Sequence, residues 1–240
     1  MAGVTHLLLA SGSPRRQDLL RAAGIPFTVD IPDLDEWDHR THPTLTPAAI
    51  VSANAERKAR RVAARHPRAV ILAADTTVVC ADRCMGKPAD REDAAAMLRF
   101  LSGRTHEVLT GVAWLNPADR DCKIRVARTR VTFRSLDAAT ISDYLAKVNV
   151  MDKAGAYGYQ EHGEMIVEKT EGSVTNIIGL PMELVMEWWT ASNPSNHPCP
   201  SVVKKNEKNS CARPPDSISS HPSNRPTELP KPAEDEQDQS

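Results

Sequence analysis

Two serines and two adjacent arginines lie close together near the start of the chain, in the stretch ASGSPRR, residues 10–16. An apolar run precedes this stretch and a helical pattern follows it, which predicts a strand-to-helix turn. The first turn of a helix exposes backbone N–H groups at the positive end of its dipole, where anions bind. Hydroxyl and guanidinium donors suit phosphate oxygens. We therefore predict a phosphate site here, against the alternative of a solvent-exposed basic turn.

Asp75 is the one charged residue in the apolar run AVILAADTTVV, residues 69–79. The run predicts a strand that breaks at this residue. A carboxylate at the end of a strand often binds a metal or acts as a general base, because ligands bind at such edges. An aspartate that caps a turn through its own backbone is the alternative, and the residue alone leaves both open.

Four further segments carry side chains that suit a polyphosphate or a base. Lys87 precedes a proline, which favours an extended backbone, and next to an arginine-rich site it can contact phosphate. The acidic stretch 33–42, which includes Glu36, could bind a divalent cation or form an ordinary surface loop. Lys58 lies in the charged stretch 56–61. This stretch is typical of the solvated face of a helix, but the Lys58 side chain could instead point into a cleft. Gln160 lies in a segment rich in glycine and tyrosine, typical of a base-recognition loop or of a simple turn.

Alternating strand and helix patterns surround these residues. Mixed connections between them indicate an α/β fold with a mixed sheet, not a doubly wound parallel one. We predict helices over 14–23, 47–66, 90–103, 137–148 and 181–189, and strands over 6–10, 69–79, 105–116 and 123–134. The last two strands should form an antiparallel pair.

Composition limits the class of protein. The chain has 240 residues and a formal net charge of −1, which argues against a general nucleic-acid binder. No apolar run approaches the roughly 18 residues of a membrane span, and no secretory signal is evident, so we expect an intracellular protein. The five cysteines are scattered and odd in number, which favours reduced thiols.

The composition changes near residue 192. Residues 192–240 contain nine of the eighteen prolines and few large apolar side chains. Such a segment cannot bury enough apolar surface to offset its ordering entropy. We predict a folded domain over 1–191 and a disordered tail over 192–240.

Five separated blocks, in this order, identify a family. They are LASGSPRR, AADTTV with GKP, LSGRTHEVLTGVA, DKAGAYGYQ and GSVTNIIGLP. Together they resemble the Maf family of nucleoside triphosphate pyrophosphatases over residues 5–189. The resemblance implies hydrolysis of a nucleoside triphosphate to the monophosphate and pyrophosphate, with a divalent cation (Mg, Mn or Co), in the cytoplasm. It also implies a two-lobed mixed sheet with flanking helices, similar to inosine-triphosphate pyrophosphatases, with the cleft between the lobes, and it allows a homodimer.

The resemblance also implies roles for individual residues. Asp75 matches the family's proton acceptor, and the other polar site positions match Ser11, Arg16, Glu36, Lys58 and Lys87. We assign substrate phosphates to Ser11, Arg15, Arg16, Lys58 and Lys87, and a metal to Glu36 and Asp75.

Three positions distinguish the branches of the family. The dTTP/UTP branch has an arginine directly after the proline, a threonine after the catalytic aspartate and a glutamine in AYG-x-Q, which are Arg15, Thr76 and Gln160 here. The branch acting on 7-methyl-GTP typically has tryptophan at the first position and glutamine at the second. The resemblance thus implies hydrolysis of dTTP and UTP. A pyrophosphatase for 7-methyl-GTP or another modified nucleotide, and a non-catalytic nucleotide-binding regulator of cell division, are the alternatives.

Overall fold

A mixed sheet runs through the computed structural model, which describes residues 6–117 and 122–193. Its strands are β1 (Leu7–Leu9), β2 (Phe27–Val29), β3 (Val70–Cys80), β4 (Arg83–Met85), β5 (Thr105–Leu115), β6 (Lys123–Phe133) and β7 (Val167–Glu171). They hydrogen-bond in the order β2-β1-β3-β5-β6-β7, with β4 paired to β3. Pairing is parallel on both sides of β1 and antiparallel from β3 onward. The predicted mixed α/β class is confirmed.

Helices flank this sheet on both faces. They are α1 (Pro14–Ala22), α2 (Pro47–Ala63), α3 (Arg91–Leu101), α4 (Ala138–Lys147), α5 (Val174–Ile178) and α6 (Met182–Ser192). The Thr46 side chain caps α2 by accepting the Ala49 N–H, and Asp90 caps α3 in the same way through Asp93. No helix in the described part of the chain is long and apolar enough to cross a membrane.

The core lies at two ends of the long strands. At one end, the first half of β3 packs on both faces, against α1 and α6 through Leu72 and against α2 through Ala73. At the other end, Val78 packs with α3 and α4. Strands of eleven residues are long enough to pass through both regions. The midpoint of β3 therefore lies between two separately packed parts of the molecule.

Two of the predicted boundaries are wrong. The strand does not break at Asp75, because β3 remains paired with β5 through that residue and beyond. What ends nearby is β1, whose last pair joins Leu9 to Leu72. On that side none of the described strands pairs with β3 between Leu72 and Val78, where its pairing with β4 begins. The second predicted helix ends at Ala63, three residues early, in a turn that reaches His66.

The other long elements agree with the prediction to within about three residues. The short elements β2, β4, β7 and α5 were not predicted. The predicted disordered tail lies outside the described residues, apart from Ser192 at the end of α6 and Asn193.

Candidate active site

An open cleft of about 930 Å³ lies beside β3 where β1 ends. Its walls come from distant segments of the chain, the start of α1, the loop before α2, the β4–α3 loop and the loop after α4. The structure brings every predicted site residue to this cleft: Ser11, Arg15, Arg16, Glu36, Lys58, Asp75, Thr76, Lys87 and Gln160. All nine residues thus line one cleft, while their individual roles stay predictions.

Asp75 and Lys58 form a buried ion pair at the floor of the cleft. The Lys58 Nζ lies 2.7 Å from Asp75 Oδ1 and 2.8 Å from Glu36 Oε1. Only 7% of the Lys58 side chain is exposed, so two carboxylates offset one buried ammonium. Burial acts to raise the pKa of Glu36, but the charges of Lys58, Lys87 and Arg16 and a hydrogen bond from Lys58 lower it overall. Glu36 is therefore held as a carboxylate.

Small side chains allow α2 to approach the sheet closely enough for this pair. Ala55 and Ala59 are fully buried on the helix face that packs against Ala73 and Ala113. The Lys58 side chain extends from this side of α2 to β3, where its Nζ contacts the Asp75 carboxylate. The interpretation of Lys58 as a cleft residue, and not part of a solvated face, fits its burial.

Asn54 is a site residue that the sequence analysis missed. It is 1% exposed, and its Nδ2 donates to Asp75 Oδ2 over 2.9 Å. It lies four residues before Lys58, which places both side chains on one face of α2. That spacing was the signal that could have found it.

Arg16 is half-buried in the wall of the cleft, where its guanidinium is held by protein oxygens. Its guanidinium donates to Gly179 O (2.8 Å), Ser11 Oγ (2.9 Å) and Thr76 Oγ1 (3.2 Å). Burial lowers its pKa, against the opposing effects of Asp75 and Glu36. Three of the five N–H groups thus donate to protein oxygens. The geometry fixes Ser11 and Thr76 in place.

The start of α1 has the features of an anion site. Ser13 is the N-cap residue, but its side chain makes no capping hydrogen bond, and no acidic residue lies in the first turn. Ser13 N–H donates to Ser11 Oγ over 3.2 Å. The positive end of α1 therefore faces the cleft without a carboxylate to neutralise it.

Arg15 joins the start of α1 to the loop that carries Gln160. Its guanidinium forms an ion pair with the Asp152 carboxylate and donates to Asp152 O over 3.1 Å. Lys153, 5% exposed, lies 3.0 Å from both Asp152 Oδ1 and Glu161 Oε1. These ion pairs hold the loop around Gln160 at both ends, at Asp152 and at Glu161. Asp152, Lys153 and Glu161 were not predicted as site residues, and nothing in the sequence near Asp152 shows that its partner Arg15 lies 137 residues away.

Glu36 and Asp75 are the carboxylates that could hold a cation. Among the described residues, no group of three or more His, Cys, Asp or Glu side chains has the arrangement of a metal site. Magnesium is usually held by one or two carboxylates together with substrate phosphates and water. Two carboxylates in one cleft with an uncapped helix N-terminus fit that kind of shared site and do not fit a cation held by protein alone.

A buried lysine–carboxylate cluster below an uncapped helix N-terminus is the arrangement of an enzyme that acts on phosphates. The chain belongs to the family described as Maf-like protein, which matches residues 6–191. The resemblance inferred from the sequence is confirmed.

Three curated relatives of the chain share one name. The dTTP/UTP pyrophosphatase of Myxococcus xanthus (strain DK1622) is 48% identical over 75% of this chain and 89% of the relative. Those of Akkermansia muciniphila and Moorella thermoacetica are 44% and 47% identical, over 77% of this chain and 95% and 93% of the relatives. Among solved structures, the Staphylococcus aureus Ham1 protein aligns with a TM-score of 0.37 and 15% identity over 54% of this chain and 72% of that chain, which is too distant to support an argument.

Proposed function

We propose that the protein hydrolyses dTTP and UTP to the nucleoside monophosphate and pyrophosphate. The observation that carries the proposal is the position of Asp75, whose carboxylate lies between Lys58 and Asn54 in a cleft entered by the N-terminus of α1. The substrate class rests on the relatives, which are named dTTP/UTP pyrophosphatases at 44–48% identity.

Different residues of the cleft carry out different parts of the reaction. The uncapped start of α1, with Ser11 and Lys87, binds the polyphosphate. Asp75 orients a water molecule toward the α-phosphorus and accepts its proton, and pyrophosphate leaves. Lys58 holds the Asp75 carboxylate through their ion pair and offsets charge that develops on the phosphate.

A divalent cation (Mg, Mn or Co) completes the proposal. When bound, it supplies neutralisation of charge on the polyphosphate. Glu36 and Asp75 would hold it together with phosphate oxygens. Glu36 suits this role because surrounding cations keep it ionised.

Recognition of the base is assigned to Gln160, with Arg15 and Thr76 in support. A glutamine amide donates and accepts at once, which matches the adjacent carbonyl and N–H of thymine or uracil. The contacts of Arg15 favour an indirect role, because its guanidinium binds Asp152 at the start of the loop. Thr76 Oγ1 lies 3.0 Å from Thr110 Oγ1 and accepts from Arg16, which holds it at the floor.

Release of pyrophosphate from a panel of nucleotides tests the proposal. The purified protein is incubated with dTTP, UTP and 7-methyl-GTP, each with magnesium or manganese, and a mock purification from cells that do not express the protein serves as the control for contaminating activity. We expect dTTP and UTP to be hydrolysed in preference. Failure to release pyrophosphate from any nucleotide would favour a binding-only protein, and a preference for 7-methyl-GTP would contradict the assigned branch.

The cellular setting of the proposal rests on the sequence. We propose that the protein is a cytoplasmic enzyme and that neither nucleic acid nor a membrane is among its partners. Assembly into a homodimer stays a prediction.

A further inference from the structure

Asn54 connects three groups that belong to different parts of the cleft. Its Oδ1 accepts the Trp37 N–H over 2.8 Å, and its Nδ2 donates to Trp37 O over 2.8 Å. The same Nδ2 donates to Asp75 Oδ2 over 2.9 Å. One buried amide thus clamps the backbone of the residue after Glu36 and one oxygen of Asp75.

The hydrogen bonds fix which way the amide is turned and which residue type fits. Asp75 Oδ2 and Trp37 O are both acceptors, so the NH₂ group must face both of them and use both its hydrogens. The amide oxygen then faces two donors, the Trp37 N–H and, over 3.4 Å, an N–H of the Arg57 guanidinium. Neither aspartate nor leucine at this position could satisfy all three partners, although both have a similar size.

The loop side of this clamp is packed from outside as well. Trp37 stacks on His42 with ring centroids 4.1 Å apart, and the Arg57 guanidinium lies 4.7 Å from the Trp37 ring. Arg57 also donates to Asp35 O over 2.9 Å. The outer contacts hold the loop against α2, but Asn54 alone in this group also contacts Asp75.

We propose that Asn54 is a positioning residue for the hydrolysis, which acts by fixing the Asp75 carboxylate relative to the loop that carries Glu36. Lys58 holds Asp75 Oδ1 and Asn54 holds Oδ2, so the carboxylate has two fixed points and cannot rotate. The proposal rests on the proposed function, since it assigns Asn54 a part in that same reaction. It predicts a loss of turnover with little loss of substrate affinity, because Asn54 lies behind Asp75.

Asn54→Leu is the test, with Arg57→Met as the matched control from the same helix and the same loop contact. A misplaced base can cost on the order of 100-fold in rate, so we expect kcat for dTTP to fall by about 10- to 100-fold in Asn54→Leu. Binding of a non-hydrolysable dTTP analogue should remain within about threefold of wild type. Arg57→Met removes the cation–π contact with Trp37 and the hydrogen bonds to Asp35 O and, over 3.4 Å, to Asn54 Oδ1, but no contact with Asp75, so its kcat should stay within about threefold.

The same substitution in the Asp75→Asn background separates positioning from general damage. If Asn54 acts through Asp75, Asn54→Leu should lower the residual rate of Asp75→Asn by no more than about twofold. Asn54→Ala, which removes the amide without adding a charge beside Asp75, replaces the leucine variant if that variant does not fold.

Three results would overturn the inference. The first is an unchanged kcat in the Asn54 variants. The second is a loss of kcat in Arg57→Met as large as that in Asn54→Leu. The third is that Asn54→Leu lowers the rate of Asp75→Asn by the same factor as it lowers the rate of the wild-type protein. A wild-type protein that releases no pyrophosphate from dTTP would instead overturn the proposed function, so the two failures are distinct.

Discussion

Gly111 lies directly opposite Asp75 in the antiparallel ladder between β3 and β5. A Cβ at Gly111 would lie 2.4 Å from the Val51 carbonyl oxygen on α2. The absence of a side chain at this position therefore allows the helix to contact the strand backbone. Asn54 and Lys58, on the next two turns of α2 after Val51, reach Asp75 because of this approach.

Gly111→Ala should destabilise the protein and lower its activity together. The added methyl group meets backbone atoms, which cannot rotate away, so α2 must shift; overpacking of this kind costs about 1–3 kcal/mol. Urea unfolding measures the free energy of unfolding, and pyrophosphate release measures activity. Gly86→Ala is the control for stability, because a Cβ there meets nothing within 4 Å. Equal stability of the two variants would contradict the close approach.

Asp75→Asn should abolish turnover and leave the fold intact. The change preserves the shape but removes the proton acceptor, and general-base contributions are typically about 100- to 10,000-fold in rate. The measurement is kcat for dTTP, with circular dichroism to verify folding. A loss of only a few-fold would show that another group accepts the proton.

The ion pair between Arg15 and Asp152 should affect the choice of base. It links the phosphate end of the cleft to the loop around Gln160, so Arg15→Gln and Asp152→Asn should each reduce the preference for dTTP over 7-methyl-GTP. Because the residues act as one pair, the double variant should lose no more than the worse single variant. Additive losses in kcat/KM would instead indicate that Arg15 contacts substrate independently of the loop.

The sequence could identify the residues of the cleft but not how they contact each other. Block order and residue type identified Asp75, Lys87 and Gln160, and helical periodicity was enough to place Lys58 on α2. Asp75 was expected at a strand end because an isolated charge looks like a terminus when the pairing partners are unknown. Its true setting depends on β1, which ends early, and on Gly111 across the ladder. Such contacts between distant segments leave no local pattern.

Contacts between distant segments also explain why the surroundings of Arg16 and Asp152 could not be predicted from the sequence. Two adjacent arginines look equivalent in sequence, yet Arg16 donates to Ser11, Thr76 and Gly179 while Arg15 pairs with Asp152. Their opposite directions follow from the helical rotation of about 100° between neighbours, combined with the positions of segments more than a hundred residues away.

Truncation after Asn193 should leave activity and melting temperature nearly unchanged. Residues 194–240 are rich in proline and polar residues, and such segments contribute few apolar contacts to a core. The cut is placed after Asn193 because this residue is buried and its Nδ2 donates to Trp189 O over 3.0 Å. Thermal unfolding of both proteins makes the comparison, and a melting temperature several degrees lower in the truncated protein would show that the tail docks on the domain.

Gln160→Ala should erode base preference more than it slows hydrolysis of poor substrates. Gln160 lies on the cleft wall beside Glu161, whose carboxylate is fastened by Lys153, so the loop should keep its position when only the amide is removed. Unpaired polar edges on thymine or uracil should then cost about 1–3 kcal/mol, or roughly 5- to 150-fold in kcat/KM. The ratio of kcat/KM for dTTP and UTP to that for 7-methyl-GTP measures the effect. Glu161→Gln, which weakens the anchor and retains the Gln160 amide, is the control for loop movement. If Gln160→Ala slows every nucleotide equally, the amide does not read the base, and the preference must arise elsewhere in the cleft.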